Sequence, residues 1–96
     1  MMLTGKQKRY LRAMAVNEKA LVQIGKDGLT NNIIVSCNEI LKARELVKIS
    51  ILKSCEQEIN EILIDLLAHT NSQHVQTIGR NIILYRQSKD KIIRLP

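Results

Sequence analysis

The chain has 96 residues, of which 45% are apolar, and a formal net charge of +6. That length fits one domain with a single modest core, and the lack of any long uncharged apolar run excludes a membrane-spanning helix. Fifteen basic residues against nine acidic ones give a surface suited to a polyanionic partner.

The first element in chain order is a helix over TGKQKRYLRAMA. Thr4 and Gln7 have the spacing of a capping box, in which each side chain reaches the other residue's free backbone N–H. At about 100° per residue, Leu3, Tyr10, Leu11, Met14 and Ala15 share one side, and Lys6, Lys8, Arg9 and Arg12 fill the other. The apolar run ALVQI (20–24) then reads as a short buried strand ending at Gly25. After IGKDGL, either Thr30 or Asn31 can cap a second helix, whose core stripe is Ile33, Ile34, Cys37, Ile40 and Leu41.

ELVKISI (45–51) alternates apolar and polar residues and is predicted as a half-buried strand. CEQEINEILIDLLAH (55–69) predicts a third helix with Cys55, Ile59, Ile62, Leu63, Leu66 and Leu67 inside. HVQTI and NIILYR read as two strands of an antiparallel hairpin turning at Gly79-Arg80. The order α-β-α-β-α-β-β implies an α/β two-layer sandwich with one four-stranded mixed sheet. One domain spans 1–96, with a core over about 3–86 and a loose basic tail over 87–96.

Cys37 and Cys55 fall on apolar faces and read as buried free thiols. Two cysteines and two distant histidines show no metal-ligand spacing, and no cofactor motif is present. His69 and His74 show no recognised catalytic pairing, so a nuclease is disfavoured and no enzyme is expected. The basic, polar N-terminus lacks an apolar signal core, so a cytoplasmic location is expected.

Charge is uneven along the chain. Residues 1–12 carry four bases and no acid, residues 76–96 five bases against Asp90, and the middle is slightly acidic. Gly25, Lys26, Asp27 and Gly28 form a Gly-x-x-Gly turn between a strand and a helix N-terminus. Free backbone amides converge in such a turn, and with the helix dipole they suit a phosphate. The glycines would permit positive φ and close approach of a sugar–phosphate backbone. The plain alternative is a tight strand-to-helix turn. KH domains clamp nucleotides with a loop of this pattern, there between two helices. With two tyrosines and no Phe or Trp, the chain has almost no platform for stacking bases. That favours structured RNA met through phosphate and shape over stacked single strands.

LTGKQKRYLRAMA, LVQIGKDGLTNNI and HVQTIGRNIILYR, in that order from Leu3 to Arg86, together resemble the YhbY-like proteins. These are the single-domain bacterial form of the CRM (chloroplast RNA splicing and ribosome maturation) domain. The resemblance implies a fold similar to the C-terminal domain of translation initiation factor three, and RNA binding. Bacterial members associate with large-subunit ribosomal precursors, and plant organelle relatives act in group II intron splicing. The family's loop falls on Gly25, Lys26, Asp27 and Gly28, its basic helix on Lys6, Lys8, Arg9 and Arg12, and its terminal block on Gly79, Arg80, Asn81 and Arg86. At the loop's tip the Asp27 carboxylate opposes a phosphate unless it points away or caps the following helix. The resulting expectation is a monomeric, non-catalytic RNA-binding protein assisting large-subunit assembly. The alternatives are a module whose basic face meets an acidic protein, and an intron-splicing cofactor.

Overall fold

In the computed structural model, which describes residues 2–96, the elements are α1 (Gly5–Val16), β1 (Val22–Ile24), α2 (Asn31–Arg44), β2 (Leu46–Ile51), α3 (Ile59–Thr70), β3 (Gln73–Ile78) and β4 (Asn81–Tyr85). The four strands form one mixed sheet in the order β1-β2-β4-β3. β1 and β2 run parallel with Ile24 beside Ile51, and the other neighbours are antiparallel. The parallel pair needs a crossover, and α2 supplies it.

Alternation along the strands divides the core. Val22, Ile24, Val47, Ile49, Ile51, Ile82 and Leu84 face α2 and α3, where Cys37, Leu41, Ile62 and Leu66 meet them. Leu46, Ile83 and Tyr85 face the other way, against Leu11 and Ala15 of α1. The sheet with α2 and α3 is the two-layer sandwich expected, and α1 adds a third layer on the opposite face. α1 begins with the anticipated capping box: Gln7 N donates to Thr4 Oγ1 at 3.1 Å and Thr4 N to Gln7 Oε1 at 3.0 Å.

Several boundaries differ from expectation. β1 is three residues long, because Ala20 and Leu21 precede the parallel pairing with β2. α3 starts at Ile59, and Cys55 lies in the preceding loop. Its amide donates to Leu52 O at 3.0 Å and its thiol to Gln57 O at 3.7 Å, so a turn occupies what the apolar spacing suggested as a first helical turn.

Glu45 is not part of a strand. It caps α2 in the left-handed conformation (φ 69°), and its side chain is fully buried. Its carboxylate accepts from Ser88 N, Ser88 Oγ and Ile93 N, each at 2.6 Å. This corrects the expected loose tail. Residues 87–96 contain no helix or strand, yet Ile93 is buried in the α1-side core and Leu95 packs on it. Gln7 Nε2 also donates to the Pro96 carbonyl at 3.2 Å.

Candidate nucleic-acid interface

β1 ends at Ile24, and the chain turns at once, closed by Gly28 N donating to Gly25 O at 3.0 Å. Lys26 and Asp27 occupy the exposed tip. The two glycines have different duties. Gly28 takes φ 68°, and a Cβ there would lie 2.8 Å from Gln57 Oε1. That oxygen accepts from Leu29 N at 3.1 Å, so the bare Cα at 28 lets Gln57 bind the loop's backbone. Gly25 does not have positive φ, and a Cβ on it would make only ordinary 3.5 Å contacts with Leu52 and Ser54. The fold requires glycine at 28 and merely tolerates it at 25.

Thr30 caps α2, its Oγ1 accepting from Ile33 N at 3.3 Å. Thr30 is thus the cap of the two candidates, and the Asp27 carboxylate has no hydrogen-bond partner among the described residues. The amides of Lys26, Asp27, Asn31 and Asn32 likewise meet no acceptor among the described residues. Free backbone donors at a loop tip and a helix N-terminus are the groups that receive phosphate oxygens.

The parallel pairing puts the loop after β2 alongside this turn: Leu52 N donates to Ile24 O at 2.8 Å. Exposed Lys53 and Ser54 follow, a neighbouring pair that the sequence did not flag. Arg80, from the β3–β4 turn, closes the group. Its Nε donates to Ile51 O at 2.8 Å and its Nη2 to Leu52 O at 2.9 Å, which anchors a cation beside the loop. Between this turn and the start of α3 lies a cleft of about 450 Å³, lined by Gln57, Glu58, Asn60, Thr77 and Arg80 among others.

The other predicted site residues are distributed over the molecule. α1 starts at the far end of the sheet, where Leu3 N donates to Gln73 Oε1 at 2.8 Å, and runs toward the loop end. Lys6 and Arg9 are exposed, and Lys8 and Arg12 are half-buried. Lys8 lies near His74: burial first, then the Lys8 charge, holds that imidazole below its usual pKa. Arg12 and Asn81 line one groove. Arg86 is engaged elsewhere, with Nη1 donating to Asn38 Oδ1 at 2.7 Å and to Thr70 O at 2.6 Å, and Nη2 to Asn38 O at 3.1 Å. It clamps α2 to the end of α3, so its charge serves the fold.

Comparison with known proteins bears on this arrangement. The model of the CRS1 / YhbY (CRM) domain matches residues 3–86. The chain belongs to the CRM domain family. Similar full-length relatives include the protein named "Probable RNA-binding protein YqeI" of Bacillus subtilis, 48% identical over 99% of this chain and 100% of its own length. A Haemophilus influenzae protein named "RNA-binding protein" is 32% identical over 98% and 95% of the two chains. The solution structure of the hypothetical protein SAV1595 from Staphylococcus aureus, given there as a candidate RNA-binding protein, superposes with a TM-score of 0.81. That protein is 45% identical, and the match covers 99% of this chain and 100% of the other. The Gly25–Gly28 turn and α1 both lie within the matched residues, on opposite sides of the sheet's layering.

Proposed function

We propose that this CRM-domain protein binds structured RNA without catalysing a reaction, and that its target is ribosomal RNA in large-subunit precursors, whose assembly it assists. The observation that carries the reading is the Gly25–Gly28 turn. Its four free amides, with Lys26, Lys53 and Arg80 around them, sit at one end of the sheet. The α1 cations extend the positive surface toward the far end. The relatives named as RNA-binding proteins support the RNA partner. The resemblance to the single-domain bacterial members supports the ribosomal one. In this reading the protein acts as a cytoplasmic monomer.

Asp27 tempers the loop. A free carboxylate at the tip opposes a phosphate there, and Lys26 beside it offsets that charge, so the backbone amides carry most of the specificity for an anion.

Crosslinking in cells followed by sequencing of the bound RNA tests the target. Enrichment of large-subunit precursor sequences is expected. Enrichment of other transcripts would overturn the ribosomal assignment. A complex that survives nuclease, with no affinity of the purified chain for RNA, would replace the RNA partner with a protein.

A further inference from the structure

α1 packs on β3, β4 and part of β2, and leaves the rest of that sheet face open. The pairing register places Gln23 beside Ser50 and Ser50 beside Asn81, one row across β1, β2 and β4. These positions alternate with Ile24, Ile49, Ile51 and Ile82, so all three side chains stand on the α1 side. Gln23 is exposed and Ser50 and Asn81 are half-exposed. None of the three side chains has a hydrogen-bond partner among the described residues. At roughly 4.8 Å between strands, the row is about 10 Å long.

The row is continuous with the phosphate turn. Gln23 lies two residues before Gly25. Ser50 precedes Ile51, whose carbonyl takes the Arg80 Nε, and Asn81 follows Arg80. At its other margin Arg12 and Ile78 line a groove of about 210 Å³ with Asn81.

Two amides and a hydroxyl cannot neutralise a phosphate, and they offer no face for stacking a base. They both donate and accept hydrogen bonds, as a ribose 2′-hydroxyl does. The geometry points to this row as a ribose-reading surface: an RNA strand whose phosphates lie at the Gly25–Gly28 turn presents its 2′-hydroxyls to Gln23, Ser50 and Asn81. The charged turn supplies affinity for any polyanion, and the neutral row supplies the preference for RNA. This inference rests on the RNA-binding reading above.

The test uses the full chain, an RNA hairpin, and the same hairpin with 2′-fluoro sugars, which keep the A-form helix but lack the hydroxyl proton. The wild type is expected to favour the hydroxyl form about tenfold, and Gln23→Ala with Ser50→Ala to lose that preference, as two neutral hydrogen bonds disappear. Affinity of the double variant for the fluoro hairpin, and its salt dependence, should match the wild type's, which also reports that it folds. A double variant that keeps the preference, or a wild type that binds both hairpins equally, overturns the ribose assignment while RNA binding stands. Such a result would leave the row free for a protein partner. A wild type that binds neither hairpin removes the RNA reading itself, and the ribose assignment falls with it.

Discussion

Replacing each glycine of the loop by alanine separates folding from binding. At Gly28 the cost has two parts. A non-glycine residue in the left-handed region costs about 1–2 kcal/mol. The new Cβ also lies 2.8 Å from Gln57 Oε1 and forces that oxygen off Leu29 N. A lost hydrogen bond of this kind costs about 0.5–1.5 kcal/mol. Together these predict that Gly28→Ala loses about 2–3 kcal/mol, or roughly 10–20 °C in Tm for a chain of this size. At Gly25 neither part applies, because φ is not positive and the 3.5 Å contacts are ordinary. Gly25→Ala should therefore leave Tm within a few degrees of the wild type. Its methyl would lie against Leu52 and Ser54, and in the backbone-clamp reading it narrows the space a phosphate needs beside the loop. Loss of one charge-assisted hydrogen bond, worth about 1.5–3 kcal/mol, predicts a roughly ten- to hundredfold weaker Kd for RNA. Thermal melts and a binding titration on the two variants decide the matter. A Gly25→Ala protein that melts and binds like the wild type would refute the backbone-clamp account, and an undisturbed Gly28→Ala melt would refute the stability argument.

Other consequences follow from the same contacts. Burial alone would raise the pKa of the Glu45 carboxyl, but hydrogen bonds from Ser88, Ile93 and Ile92 outweigh it and hold the group below the usual carboxylate range. A lowered folded pKa means the stabilisation is full above the unfolded value near 4.3 and is lost as pH falls through the folded one, so the protection of the Ser88 and Ile93 amides, relative to their intrinsic exchange rates, should decline in acid. Glu45→Gln should release the tail at neutral pH and cost about 2–4 kcal/mol, seen as early proteolysis between 87 and 96. Arg86→Met should lower Tm by breaking the tie between Asn38 and Thr70, yet leave the salt dependence of RNA binding unchanged; a changed slope would return Arg86 to the phosphate surface. Burial pushes the Cys37 thiol up to about 11, so iodoacetamide should spare it in the native protein and label it on unfolding.

Local signals carried most of the fold. The Thr4–Gln7 box, the apolar stripe of α2 and the Gly79-Arg80 turn each declare themselves within a few residues of sequence. What escaped depends on distant partners. Glu45 looked like an ordinary strand residue because the three donors that permit its burial come from positions 88 and 93. The tail looked loose for the same reason, since Ile93 and Leu95 find their core only once α1 and β4 are in place. Cys55 mimicked a helical stripe because its spacing to Ile59 and Ile62 fits a helix, while its amide and thiol actually form a turn. In the site, Gly-x-x-Gly was visible as a motif, but the distinct roles of its glycines depend on Gln57, 29 residues beyond Gly28. Lys53 was invisible until the parallel pairing of β1 and β2 set it beside the turn. Arg86 was flagged by its charge, and the seam between α2 and α3 claims that charge.

If the turn around Gly25 and Lys26 meets RNA phosphates, binding must weaken steeply as salt rises. Kd for a ribosomal RNA hairpin should be measured from low to moderate salt with the wild type and with Lys26→Ala. A steep log–log dependence is expected, its slope becoming shallower by about 0.9 when Lys26 is removed, one duplex phosphate fewer being neutralised. A wild-type affinity that ignores salt, or a Lys26→Ala slope identical to it, would contradict the claim.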